Sequence, residues 1–133
     1  MSPGKAALQG AGRTILIAED DAQIRGLARK IFERSGYAVL VAEDGLQAVE
    51  LVKEHGSTID ALLLDMRMPN LGGLQALEQA RALHPHMPAV LCSGLGEADV
   101  IKAAAQSAPT QFVQKPYRAK EVLGVLQDLH GPK

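Results

Sequence analysis

The stretch ALLLDMRMPNLGG (residues 61–73) decides how the rest of the chain is read. Four apolar residues run without alternation into Asp65, and a segment rich in Pro, Asn and Gly follows. An unbroken apolar run bounded by turn residues marks a strand covered on both faces. From Leu74 the spacing changes: Leu74, Leu77, Ala80 and Leu83 recur at helical intervals until Pro85 and Pro88 close the segment. A buried strand, an acidic end, a turn and a helix thus come in direct succession.

The same unit recurs on either side. Short aliphatic or β-branched runs lie at Thr14–Ala18, Ala38–Ala42, Ala89–Cys92 and Gln111–Val113. Ile24, Leu27, Ala28, Ile31 and Phe32 form one helical face, ending near Ser35 and Gly36, where glycine can take the left-handed stop conformation. Asp44, with Gln47 three residues on, reads as a helix N-cap with its box partner. Residues 97–106 are a weaker, Ala-rich helix, and Val122, Val125, Leu126 and Leu129 give a clean stripe that Gly131 and Pro132 end. Five strands alternating with five helices predict an α/β fold: a doubly wound, five-stranded parallel sheet with right-handed crossovers. Residues 1–12 (MSPGKAALQGAG) read as a disordered lead-in or linker, leaving one domain over 13–130.

Composition narrows the function classes. The 133 residues suffice for one domain, and 47% hydrophobic against 22% charged residues excludes global disorder. The net charge is −1 without a Lys/Arg cluster, so neither nucleic acid nor an anionic membrane is expected as a direct partner. Apolar runs are far too short for a membrane span, and no signal-peptide core is present. The lone Cys92 rules out a disulfide within the chain and reads as a buried thiol. A soluble cytoplasmic protein is predicted.

The residues at the end of each apolar run carry the chemistry. The first run ends in Glu19, Asp20 and Asp21, the third in Asp65, the fourth in Ser93 and Gly94, the fifth in Lys115 and Pro116. Strand ends of a parallel sheet share one edge, and ligands bind there where the strand order reverses. For the order 2-1-3-4-5, that reversal falls between the two strands bearing the carboxylates. Acids gathered in one cleft repel one another, and a cation relieves the repulsion. Hard oxygen ligands left partly hydrated suit Mg²⁺. A carboxylate can serve as nucleophile toward phosphorus, with Lys115 supplying a point charge and Ser93 a hydroxyl donor. Singly, each group has a plainer reading: Asp21 as a helix cap, Ser93-Gly94 as a turn, Lys115-Pro116 as a helix entrance. Their arrival on consecutive strand ends makes the case.

ILIAEDD (15–21), LLLDMRMPNLGG (62–73), VLCSG (90–94) and FVQKP (112–116) together resemble the receiver domain of two-component response regulators. The likeness runs from about Thr14 to His130. It implies the flavodoxin-like form of the fold and a phosphoacceptor signalling domain rather than a turnover enzyme. By resemblance Asp65 is the phosphoacceptor, Asp20 the direct metal ligand and Glu19 its acidic partner. The backbone carbonyl of Arg67 completes the protein's share of a Mg²⁺ shell. Ser93 and Lys115 contact the phosphoryl group, and Ser93 with Phe112 forms the switch that alters a partner-binding surface. The donor implied is a histidine kinase or a histidine phosphotransfer protein.

Some positions depart from the family's commoner residues. Glu19 stands where Asp is more frequent. Arg67 and Leu95 are poor at orienting water, which predicts slow loss of the phosphoryl group. Residues 107–110 (SAPT) lack the acidic pattern of dimerising winged-helix regulators. The rival reading is a pseudo-receiver that binds partners without phosphorylation. With few residues after Leu129, the chain reads as a single-domain regulator or as a receiver cut from a hybrid kinase. His84 and His86 read as loop histidines, His55 and His130 as helix-end residues, and Met66 and Met68 as packing groups. No nucleotide-binding loop is present.

Overall fold

The computed structural model describes residues 12–93, 110–114 and 119–130. Five parallel strands, β1 (Thr14–Ala18), β2 (Ala38–Ala42), β3 (Ala61–Asp65), β4 (Ala89–Ser93) and β5 (Thr110–Gln114), form one sheet in the order β2-β1-β3-β4-β5. Four α-helices are described: α1 (Ala22–Arg34), α2 (Gly45–His55), α3 (Gly73–Leu83) and α4 (Ala119–His130). A short 3₁₀ turn covers Gly56–Thr58. The helix expected over 97–106 lies outside the described residues, as does the lead-in up to residue 11. Gly12 donates its N–H to the Gly36 carbonyl at 3.1 Å.

The unalternating strands have the reason expected of them. Ile15, Ile17, Ala61, Leu63, Val90 and Cys92 pack on one face with Ala28, Phe32, Val122 and Leu126. Leu16, Ala18, Leu62, Leu64, Ala89 and Leu91 pack on the other with Ala48, Val52, Leu77 and Ala80. Cys92 is buried, as predicted. Among the described residues, no helix is long and apolar enough to cross a membrane.

Helix ends follow local chemistry. The Asp21 carboxylate accepts from the N–H groups of Gln23 and Ile24 and so caps α1. At the other end Gly36 takes φ 94°, its N–H bonds Glu33, and Tyr37 N–H bonds the Phe32 carbonyl. The Phe32 and Tyr37 rings then meet edge to face at 5.7 Å, the apolar contact that accompanies such a stop. Burial pushes the Tyr37 hydroxyl pKa up.

Three expectations need correction. β3 and β4 run one residue further, so Asp65 and Ser93 belong to the strands themselves. Leu83 is exposed: it sits in the last turn of α3, beyond the sheet face that buries Ala76, Leu77 and Ala80. The α1 stripe is only half buried, with Ala28 and Phe32 inside but Leu27 at 61% exposure, because the sheet covers a narrower arc than the apolar spacing spans.

Candidate functional site

Register brings the acidic strand ends level. Ala18 pairs with Leu64 and with Ala42, so Glu19 stands beside Asp65 at the sheet edge. Asp65 pairs with Cys92, which puts Ser93 one position further out, and Ser93 pairs with Gln114. Glu19, Asp20 and Asp65 each offer a carboxylate oxygen, all within 4.8 Å of one another. Glu19 and Asp65 are buried, at 4% and 7% exposure, while Asp20 faces solvent. Buried carboxylates this close demand compensation, and one open side gives a small cation access.

The backbone fixes these acids. Glu19 N–H bonds the Ala42 carbonyl at 3.1 Å, and the Glu19 carboxylate accepts from Asp21 N–H at 3.1 Å. Arg25 donates Nη1 to the Glu19 carbonyl at 2.8 Å. Asp65 is the last residue of β3, and its Oδ1 accepts from Arg67 N–H at 3.4 Å. The helix after it packs tightly: a Cβ on Gly73 would run into the Asp65 carbonyl. Glycine at 73 therefore lets α3 begin directly against the acidic strand end.

The loop between Asp65 and α3 is also held. Met66 N–H bonds the Cys92 carbonyl at 2.9 Å, and Gly73 N–H bonds the Met66 carbonyl at 3.1 Å. Met66 and Met68 pack against the core, as predicted. Arg67 is exposed. Asn70 adopts φ 69° and donates its side-chain amide to Asp44 Oδ2 at 2.7 Å. Asp44 meanwhile caps α2 through Gln47 N–H, as its position in the sequence predicts. The box partner differs: Gln47 Oε1 accepts from Glu43 N–H, one residue earlier than the usual pattern. These bonds, from Gln47 first and Asn70 second, hold the Asp44 carboxyl below its ordinary pKa.

The structure thus unites Glu19, Asp20 and Asp65, with Arg67 two residues beyond. Ser93 lies at the same edge by its strand position. Phe112 lies in β5 opposite Leu91 in register. Lys115 and Leu95 lie outside the described residues. Sequence reasoning missed Arg25 and the tie between Asp44 and Asn70. Asn after proline, where a left-handed residue is tolerated, was the available signal for the second. The histidines hold to the sequence reading in part: His86 is exposed, but the His84 ring packs over Gly56, which has no Cβ to block it.

Comparison with known proteins agrees with this geometry. The family model of the response regulator receiver domain matches residues 15–127. The chemotaxis protein CheY of Bacillus subtilis is 34% identical over 110 residues, covering 82% of this chain and 90% of that protein. The sporulation initiation phosphotransferase F of the same organism is 29% identical over 108 residues, 81% of this chain and 86% of its own. Among solved structures, the CheX-CheY-BeF3-Mg+2 complex from Borrelia burgdorferi superposes with a TM-score of 0.84 at 25% identity, covering 90% of each chain.

Proposed function

From the premise that the chain belongs to the response regulator receiver domain family of two-component signalling, we propose that Asp65 accepts a phosphoryl group with Mg²⁺ bound. The observation that carries this is the meeting of Glu19, Asp20 and Asp65 within 4.8 Å at the strand edge. The donor set is all oxygen and one side is open, which fits a hard cation that keeps some of its water. Glu19, Asp20, Asp65 and the Arg67 carbonyl would hold the ion. Bound there, Mg²⁺ would offset the acids' repulsion and neutralise charge on the transferring oxygens.

An Asp65 carboxylate oxygen attacks phosphorus in line. The phosphorus–nitrogen bond of a donor phosphohistidine breaks, and the imidazole nitrogen keeps the electron pair. Asp65, as the last residue of a strand paired on both sides, is fixed for that attack. Ser93 donates its hydroxyl and Lys115 its ammonium to the phosphoryl oxygens. Loading of Asp65 then draws Ser93 inward and turns Phe112, which changes the surface offered to a downstream protein. The donor is a histidine kinase or a histidine phosphotransfer protein. The domain is modified by the transfer and so acts as a signalling element rather than a turnover enzyme. By the family resemblance, residues 67 and 95 are sequence positions that tune hydrolysis of the acyl phosphate. Arg and Leu there orient water poorly, so hydrolysis is slow; a half-life of seconds in Mg²⁺ would contradict that.

Beryllofluoride with Mg²⁺ tests the reading. Amide shifts should move around Asp65 and Ser93 in the wild type and stay still in Asp65→Asn. Equal null results in both would favour the phosphorylation-independent interaction module, for which no other observation speaks.

A further inference from the structure

We infer that Asp44 and Asn70 form a latch through which α2 positions the loop of residues 66–72 for cation binding. Neither is one of the three clustered acids; both are positioning residues, and the inference rests on the proposed role of the Arg67 carbonyl in that loop.

The Asp44 carboxylate is used on two sides. Oδ1 accepts from Gln47 N–H at 2.8 Å and caps α2, while Oδ2 accepts from Asn70 Nδ2 at 2.7 Å. Asn70 makes this contact from a left-handed backbone, φ 69°, which asparagine tolerates better than most residues. The two segments also touch through their backbones, since a Cβ on Gly45 would meet the Leu71 carbonyl. Leu71 N–H closes a tight turn onto the Pro69 carbonyl at 2.7 Å. At the other end of the loop Met66 is tied to β4 through Cys92. Arg67 therefore sits between two anchored points, one on the sheet and one on α2. Releasing the second widens the range of its carbonyl, and a misplaced ligand weakens the binding of a small cation that demands near-ideal geometry.

The test is a Mg²⁺ titration of the whole chain, read on the amides around Glu19 and Asp65, for four proteins. Asn70→Gly keeps the left-handed backbone and deletes the bond; Asp44→Ser keeps the cap and deletes the bond. Asn70→Gly should weaken Mg²⁺ binding by about three- to tenfold, the scale of one hydrogen bond. That loss should vanish when Asn70→Gly is made in the Asp44→Ser background, which also removes the effect of the lost charge from the comparison. Thermal unfolding checks that every variant is folded, and a merely structural contact would lower the midpoint without changing the affinity. Wild-type affinity in Asn70→Gly, or losses that simply add in the double variant, would overturn the latch. A wild type that binds no Mg²⁺ would overturn the site reading and the latch together.

Discussion

Arg25 Nη1 donates to the main-chain oxygen of Glu19 at 2.8 Å and lies 3.4 Å from that of Asp20. The first turn of α1 thus reaches back to hold the loop that carries both acids. A guanidinium bonding a carbonyl is stronger than a neutral pair. Arg25→Ala should cost about 1–2 kcal/mol of stability, measured by urea denaturation. Arg25→Lys should recover part of it, since an ammonium lacks the planar fork. An unchanged midpoint in Arg25→Ala would show that the contact contributes nothing.

Two glycines in helices should respond in opposite directions. Gly26 lies within α1 with no atom near its missing Cβ, so Gly26→Ala should add about 0.5–1 kcal/mol. Gly73 opens α3 against the Asp65 carbonyl, and Gly73→Ala should cost about 1–3 kcal/mol as the strand end shifts. Denaturation of the two variants side by side checks the sign of each.

The low pKa of Asp44 links its cap to pH. A carboxyl whose folded pKa is depressed stabilises the fold above its unfolded value, and the effect is lost as pH falls through the folded one. Asp44→Ala should therefore be less stable than wild type at pH 7, with a gap of about 1 kcal/mol from the cap. The gap should narrow steadily from the ordinary carboxylate range downward. Denaturation midpoints of both proteins between pH 6 and pH 2.5, roughly the span of carboxyl titration, provide the check. A gap that widens in acid would contradict the bonding described.

The acidic cluster should destabilise the metal-free fold. Asp20→Asn removes one of three clustered charges and is expected to raise the melting temperature in chelator. Wild type should gain stability on adding Mg²⁺, about 2.7 kcal/mol at a hundredfold excess over Kd. Asp20→Asn should gain much less. Equal gains in the two proteins would remove Asp20 from the metal shell.

Most of the fold was legible because its cause is local. Runs such as Ile15-Leu16-Ile17 are apolar on successive residues, short and rich in β-branched side chains, which together mark strands of a doubly covered sheet. The strand ends then define the acidic edge. The caps at Asp21 and Asp44 and the stop at Gly36 likewise depend on near neighbours in sequence. What escaped was non-local. Periodicity marks Leu27 and Leu83 as apolar, but whether the sheet reaches far enough to cover them depends on packing. The Asp44–Asn70 bond spans 26 residues, and the Arg25 clamp depends on where α1 starts relative to Glu19. Neither leaves a spacing to read.

The claim that Asp65 is the phosphoacceptor is tested most directly by intact mass. After incubation with acetyl phosphate and Mg²⁺, the wild type should gain one phosphoryl group. Asp65→Asn should gain none, and chelator should abolish the gain in the wild type. An equal gain in Asp65→Asn, or no gain in a folded wild type that binds Mg²⁺, would contradict the assignment.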